Sequence, residues 1–363
     1  MLKAYKYRIY PTSEQKLYLA KTFGCTRFIY NKMLEDRIKS YEENKDLDIK
    51  KVKYPTPAQY KEEYPWLKEV DSLALANAQI NLDKAYKNFF RDKSVGFPKF
   101  KSKKTNRFSY TTNNQNGTIY IDGNFVKIPK LKSKIKIVLH RQFKGIIKSA
   151  TISKTPSNQY YISILVVDTE NISLPKNDNK IGIDLGIKEF AICSNGDRFD
   201  NPKNLRKSEK KLAKLQNDLS RKVKGSNNRY KARLKVAKLH QRIANQRRDF
   251  LHKLSTKIIS ENQVIVLEDL RVKNMLQNKK LAKSISEVSW GEFRTMLEYK
   301  ASWNGREIVI APPNYASSQL CSKCGYKNSD VKNLALRNWI CPECGANHDR
   351  DINASINLLK LAL

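Results

Sequence analysis

Residues 181–196 read IGIDLGIKEFAICSNG. Two apolar runs flank a short polar stretch, which predicts a β-hairpin. Asp184 stands inside the first run. A charge in a buried strand is costly unless it is paired or bound to a metal. Gly182 and Gly186 flank it and leave room for a backbone or a phosphate. Outward along the chain, residues 203–260 read as two long basic helices broken near Gly225 and Ser226. VIVLEDL (264–270) reads as a buried strand closed by Glu268, residues 288–303 as a helix and REIVIA (306–311) as a strand. The last helix, DINASINLLKLAL, opens with Asp351. Strands alternating with helices predict an α/β domain.

Asp184, Glu268 and Asp351 thus sit where buried elements begin or end. Carboxylates that converge can hold hard divalent cations such as magnesium. Two such ions about 4 Å apart would activate a water and stabilise the leaving oxygen of a phosphodiester. Taken singly, each acid is better explained as the partner of a lysine or arginine; their joint positions in an α/β domain of a basic protein favour the catalytic reading. Asp269, Asp349 and His348 neighbour these positions, and Asp349 reads as a helix cap.

Four of the six cysteines form the pattern C-x2-C-x16-C-x2-C at Cys321, Cys324, Cys341 and Cys344. This spacing is that of a four-thiolate zinc site, with iron the alternative. Four soft ligands leave no open position, so such a metal is structural. Cys25 and Cys193 stand alone and read as small buried apolar residues.

The N-terminal half is different in texture. MLKAYKYRIY (1–10) alternates as a strand. Pro11 and Ser13 open a helix carrying Leu17, Ala20 and Phe23 that should stop at Gly24, and a second should follow with Phe28, Ile29, Met33 and Leu34. After a basic, proline-marked stretch (50–57), Asp71 or Ser72 caps another helix, whose Leu75, Leu82, Tyr86, Phe89 and Phe90 read as a core stripe. Residues 103–170 hold short alternating runs, with a hairpin turn at Asp122 and Gly123. They predict a small antiparallel β unit, a barrel, which strand 1–10 joins with the helical module inserted. A polar linker (175–179) leads to the α/β half.

Composition narrows the partners. Lys and Arg number 70 against 35 Asp and Glu, a formal charge of +35. Such an excess makes the compact state repel itself unless something polyanionic binds, so nucleic acid is the expected partner. No run of 18 apolar residues and no apolar stretch of signal-peptide length is present, so neither a membrane span nor secretion is expected. The reading is of a soluble, cytoplasmic, nucleoid-associated protein.

Several segments together resemble the TnpB family, the transposon-encoded RNA-guided DNA endonucleases related to type V CRISPR effectors. They are YRIYPTSEQ, CTRFIYN, NLDKAYKNFFRDKSVGFPKFKSK, IGIDLGIKEFA, QRRDFLHKLS, VIVLEDL, SISEVSWGEFRTMLEYKA, SSQLCSKCG and WICPECGANHDRDINAS. The resemblance implies a multidomain α/β + β protein. Residues 1–10 and 103–176 would form a wedge-type β-barrel domain, and 11–102 a helical recognition lobe. Residues 177–314 and 347–363 would form a RuvC-like, RNase H-type nuclease domain, with a four-cysteine zinc ribbon inserted at 315–346. Asp184, Glu268 and Asp351 would be the catalytic acids, holding two magnesium ions. The chain would act as a monomeric ribonucleoprotein with a guide RNA from the transposon end, cutting double-stranded target DNA beside a short adjacent motif. Alternatives are a nuclease-inactive guided repressor, whose relatives lose nuclease acids, and a transposase or transposition regulator.

Nucleic-acid contacts are expected in two places. The helix over 71–81 and a loop at 111–114 offer small polar groups for motif reading, namely Ser72, Asn77, Thr111, Thr112 and Asn113, with Asn suited to adenine. The long basic helices offer Lys210, Lys211, Arg221, Lys222, Arg247 and Arg248 for the backbone.

Overall fold

The computed structural model describes residues 1–43, 54–105, 108–168, 173–333 and 335–362, so residues 50–53 of the basic stretch lie outside the described residues. The chain divides into two compact units, residues 1–170 and 171–363.

In the first unit, β1 (Leu2–Tyr10) is followed by α1 (Ser13–Glu43), α2 (Tyr60–Glu63) and α3 (Ser72–Arg91). Six strands complete it: β2 (Phe108–Asn113), β3 (Tyr120–Asp122), β4 (Phe125–Lys127), β5 (Ile135–Val138), β6 (Ile146–Lys154) and β7 (Tyr160–Val167). They form one antiparallel seven-stranded sheet in the order β2-β6-β7-β1-β5-β4-β3. The first strand does join the sheet, paired with β7 from Leu2↔Val167 to Ile9↔Tyr160 and with β5 on its other side. Alternation puts Tyr7, Ile9, Ile137, Ile152, Ile162 and Ile164 inside, against Leu19, Phe23 and Ala74 of the helices. A second cluster, including Ile29, Met33, Leu34, Leu75 and Leu82, ties α1 to α3.

Five local expectations are corrected. Helix α1 runs unbroken through Gly24. A helical glycine costs about 1 kcal/mol relative to alanine, and the continuous buried stripe of Leu19, Thr22, Phe23, Thr26, Ile29 and Met33 outweighs that. Leu17 is exposed, because that stripe turns the other way. Residues 111–113 are not a loop but part of β2, paired with β6; β-branched threonines suit a half-buried strand. Phe90 lies outside the core that Leu75 and Leu82 enter. The hairpin of β3 and β4 turns on Gly123 and Asn124, with Asp122 opposite Phe125.

The second unit contains β8 (Lys180–Leu185), β9 (Glu189–Cys193), β10 (Arg198–Asp200), α4 (Asn204–Ser220) and α5 (Asn227–Glu261). Next come β11 (Val264–Leu267), α6 (Val272–Met275), α7 (Ala282–Val288), α8 (Trp290–Asn304) and β12 (Glu307–Ile310). It ends with β13 (Asn338–Ile340), β14 (Asn347–Asp349) and α9 (Arg350–Leu359). The helix expected over 288–303 starts two residues later, because Ser289 in the left-handed region separates α7 from α8.

The five-stranded sheet has the order β10-β9-β8-β11-β12. β8, β11 and β12 are parallel, and β9 and β10 form antiparallel hairpins on the β8 side. Successive side chains of a strand face opposite sides. Ile181, Ile183 and Leu185 of β8, with Ile265 and Leu267 of β11, therefore enter one core with Leu251, Leu254, Phe293 and Leu297 of α5 and α8. On the other face Val266 packs against Leu358 of α9. Gly182 also faces α9: a Cβ there would lie 2.1 Å from the Ser355 carbonyl oxygen and 2.6 Å from the Leu359 nitrogen.

Both obstacles at Gly182 are backbone, so they cannot swing aside. Gly182→Ala should force α9 off the sheet and destabilise the second unit by about 3 kcal/mol, the upper part of the range for overpacking. Denaturant unfolding should show this, and unchanged stability would refute the close approach.

Candidate active site

The same alternation that points Gly182 at α9 points Asp184 there, two residues on. In the parallel register Val266 pairs with Gly182 and Leu267 with Ile183, which continues to place Glu268 beside Asp184. Helix α9 crosses β8 with Ser355 over Gly182. Asp351 is one helical turn before Ser355, about 6 Å along the axis, close to the ~6.6 Å from Gly182 to Asp184 along the strand. Three distant stretches thus bring Asp184, Glu268 and Asp351 to one cleft of about 390 Å³, rimmed by Lys188, Arg198, Arg337 and Arg350.

Electrostatics follow from this crowding. Burial, and then the negative charges of Glu268 and Asp351, push the Asp184 carboxyl well above the usual carboxylate range; Arg350 and Arg337 offset this in part. Burial also raises Glu268, opposed by the Ser317 hydroxyl, which donates to its Oε1 at 2.6 Å. Arg337 Nη1 lies 3.2 and 3.1 Å from the two oxygens of Asp351. Asp349 caps α9, accepting from the amides of Asp351 (3.1 Å) and Ile352 (3.0 Å), and Arg198 bridges Asp349 and Glu189. Asp269 is instead held by Arg294 at 3.0 Å.

The four cysteines lie on two matching turns. In each, the glycine amide donates to the first cysteine carbonyl at 2.9 Å, with Gly325 and Gly345 at φ +83° and +68°. Their sulfurs all lie within 4.8 Å of one another, a cluster able to hold a metal ion. His348, paired across from Trp339, brings Nε2 to 3.0 Å from the Cys321 sulfur. Burial would raise the Cys321 thiol, but the amides of Cys324 and Lys323 and the His348 ring bring it down to about 6. The acids are set more widely: among the described residues, the cysteines are the one group of three or more such ligands with that compactness. Burial pushes Cys25 up to about 11 and Cys193 up to about 12, so both are inert thiols.

The other singled-out residues divide. Asn77 Nδ2 and Asn113 Oδ1 face one another at 3.5 Å, and Thr111 bonds Thr151 at 2.8 Å. Thr112 is fully buried and donates its hydroxyl to Asp71, the cap of α3, so it is a structural residue with no edge to offer a base. Ser72 accepts from Lys61 at 2.7 Å. Lys210, Lys211 and Arg221 are exposed. Lys222 pairs with Asp218, Arg247 donates to the Ser286 carbonyl and Arg248 pairs with Glu292, so these three also brace their own unit. Ser317, Arg337, Arg198 and the role of His348 escaped the sequence reading. Only the last had a signal, its place between the ribbon and Asp351.

Comparison with known proteins gives the chain's family and fold. Residues 163–279 match a family described as "Probable transposase", 290–358 one described as "Cas12f1-like, TNB domain", and 1–46 a "Helix-turn-helix domain". A "Putative RNA-guided DNA endonuclease" of Streptomyces pristinaespiralis is 41% identical over 99% of this chain and 89% of its own length. "Putative RNA-guided DNA endonuclease InsQ" of Escherichia coli K12 is 32% identical over 99% of this chain and 92% of its own. The chain belongs to the TnpB family. A solved Cas12f1 chain, from a complex with guide RNA and target DNA, shares the fold with TM-score 0.63 at 13% identity over 99% of this chain and 98% of that one. In this TnpB chain the described part of the segment matched as helix-turn-helix, residues 1–43, holds a strand followed by one continuous helix. Asp184 and Glu268 fall in one matched region, and the cysteines and Asp351 in another.

The raised carboxyls carry a stability consequence. A folded acid that holds its proton more tightly than the unfolded chain adds stability at low pH, which is lost as pH rises from the ordinary carboxylate range through the raised value. At pH 7 and without divalent cation, Asp184→Asn should therefore raise the melting temperature, by about 2 °C or more. A lower melting temperature than wild type, measured in EDTA, would contradict this assignment.

Proposed function

We propose that this TnpB-family chain is a transposon-encoded, RNA-guided DNA endonuclease whose cutting centre is the Asp184–Glu268–Asp351 cleft. The observation that carries the reading is the meeting of three acids from β8, the end of β11 and the start of α9, in a chain of charge +35. The parallel strands with antiparallel hairpins on one side fit a RuvC-like, RNase H-type domain over 177–314 and 347–363, with the ribbon at 315–346. The seven-stranded sheet fits a wedge-type barrel over 1–10 and 103–176, and the helices of 11–102 a recognition lobe. No described helix is long and apolar enough to cross a membrane, and cytoplasmic action at the nucleoid, as a monomeric ribonucleoprotein, suits these partners.

The donor set suits magnesium: hard carboxylate oxygens, mutually repelling and short of a counter-charge that a cation would supply. Bound there, two such ions would activate water and stabilise the leaving oxygen of a phosphodiester. The chain's own groups prepare the site. Ser317 fixes the Glu268 rotamer. Asp349, held by Arg198, fixes the first turn of α9 and with it Asp351. Arg337 and Arg350 offset the negative potential that a phosphate would otherwise meet above three acids. Asn77, Asn113 and Thr111 remain the proposed readers of the adjacent motif, and Lys210, Lys211 and Arg221 the proposed backbone contacts. The guide RNA and the double-stranded target are polyanions that this charge can accept.

The cysteine cluster suits zinc. A tetrahedron with Zn–S of ~2.3 Å has edges of about 3.8 Å. Cys321–Cys344 and Cys324–Cys341 stand 3.7 and 3.6 Å apart.

Asp184→Ala, Glu268→Ala and Asp351→Ala should each lower cleavage by more than about 100-fold, the upper range for outer-shell changes at metal sites, with guided binding retained. A DNA-cleavage and gel-shift pair on the guide-loaded protein checks this; full-rate cutting by Asp184→Ala would overturn the assignment. Cys321→Ser should lose about one zinc per chain by elemental analysis and lose order in the ribbon, since structural zinc contributes folding free energy. A metal-free wild type with an intact ribbon would refute it.

A further inference from the structure

Arg337 immediately precedes β13, and its guanidinium lies on Asp351. Nη1 stands between the two carboxylate oxygens, 3.2 Å from one and 3.1 Å from the other. Two features make this a light grip. One nitrogen faces both oxygens, whereas the strong form of the pair sets two nitrogens against two oxygens. The Arg337 side chain is also 53% exposed, and ion pairs in that setting contribute little. The backbone is held more firmly. The Arg337 carbonyl accepts the Arg350 amide at 2.8 Å, and Asn338 pairs with Asp349. The guanidinium can therefore leave the carboxylate while the strand stays in place.

The other arginines of the rim are committed elsewhere. Arg350 is buried and donates Nη1 to the Asn333 carbonyl at 3.1 Å, and Arg198 is shared between Glu189 and Asp349. Among the described residues, Arg337 is thus the cation seated on one of the three acids. A divalent ion bound by Asp351 competes with it for the same two oxygens. Such an ion brings two charges to three mutually repelling acids, where Arg337 brings one charge to one acid. We propose, on the reading of the cleft as a metal centre, that Arg337 is a self-inhibitory latch: it holds Asp351 until a divalent cation displaces it, and so raises the cation concentration at which the cleft fills. The latch belongs to the ribbon, because Arg337 lies between the two cysteine pairs.

Manganese(II) titrated into the full, zinc-loaded chain tests this, with bound ion read from the loss of the free ion's electron paramagnetic resonance signal. Guide RNA is left out, since its phosphates bind the ion themselves. The cleft's share is the binding that Asp184→Ala removes. Arg337→Gln should tighten that share about fivefold, the upper end for an exposed ion pair, with a circular dichroism spectrum like that of wild type. Lys188→Gln takes one exposed charge from the same rim and leaves the Arg337–Asp351 pair in place, so it should gain less. Wild type supplies a second measurement that no folding defect can mimic. Saturating manganese should speed the labelling of Arg337 by phenylglyoxal, followed by peptide mass spectrometry, because the guanidinium has left its carboxylate. An unchanged or weakened affinity in Arg337→Gln would overturn the latch, as would an equal gain in Lys188→Gln or a labelling rate that manganese does not alter. Those failures leave Asp184-dependent binding standing. Manganese binding that survives Asp184→Ala intact would instead overturn the metal-centre reading, and the latch with it.

Discussion

The second unit depends on the contact between α9 and β8. Two backbones meet there with only a hydrogen between them, at Gly182. That approach fixes the height of α9 above the sheet, and the periods of strand and helix do the rest. Two residues along β8 and one turn back along α9 are nearly the same distance. A carboxylate placed at each end therefore meets the other without any loop having to be ordered. Glu268 joins because β11 is parallel to β8 and in register with it. A site assembled from rigid elements in this way keeps its geometry better than one built on loops.

The same geometry sets the site's electrostatic character. A chain with twice as many cations as anions could neutralise three acids many times over, yet Asp184 has no direct cationic partner among the described residues. Arg337 and Arg350 act on it from a distance, and Arg337 engages Asp351 instead. Burial and mutual repulsion are then left uncompensated, which costs stability in the absence of a cation. Perturbed carboxyls of this kind concentrate at functional sites. Basic residues such as Lys210, Lys211 and Arg221 stand elsewhere, exposed to solvent on α4 and at its end.

Much of this was legible in the sequence, for stated physical reasons. Asp184 and Glu268 were visible because each interrupts or ends an apolar strand, where a charge needs an explanation. Asp351 was visible because it opens a helix directly after the cysteine pairs, whose spacing is itself a geometric statement. The hairpin of 181–196 and the union of β1 with the later strands followed from alternation. What could not be read depends on contacts between distant residues. Ser317 meets Glu268 across 49 positions and Arg198 meets Asp349 across 151, and nothing local in either partner signals it. Thr112 was misread for the complementary reason. A polar residue in a Ser/Thr/Asn-rich run looks like a turn, until its pairing with β6 and its bond to Asp71 are seen. Gly24 and Phe90 show both directions in which tertiary packing overrides local pattern: one was expected to break a helix and does not, the other to be buried and is not.

The ribbon and the third acid are mechanically one element. β14 carries His348, which touches the Cys321 sulfur, and then Asp349, which caps α9 and accepts the Asp351 amide. Asn353 of the same helix turn reaches back to the ribbon, accepting the Ser322 amide at 2.8 Å and donating to the Leu320 carbonyl at 2.7 Å. Arg337, from the other ribbon strand's entry, holds the Asp351 carboxylate, and its own carbonyl accepts the Arg350 amide. An ion that gathers the four sulfurs therefore fixes more than the ribbon. It fixes the strand whose last residue sets the angle of α9, and with it the position of Asp351 relative to Asp184 and Glu268. A metal held by the four sulfurs would in this way help to set the position of the third carboxylate of the cleft.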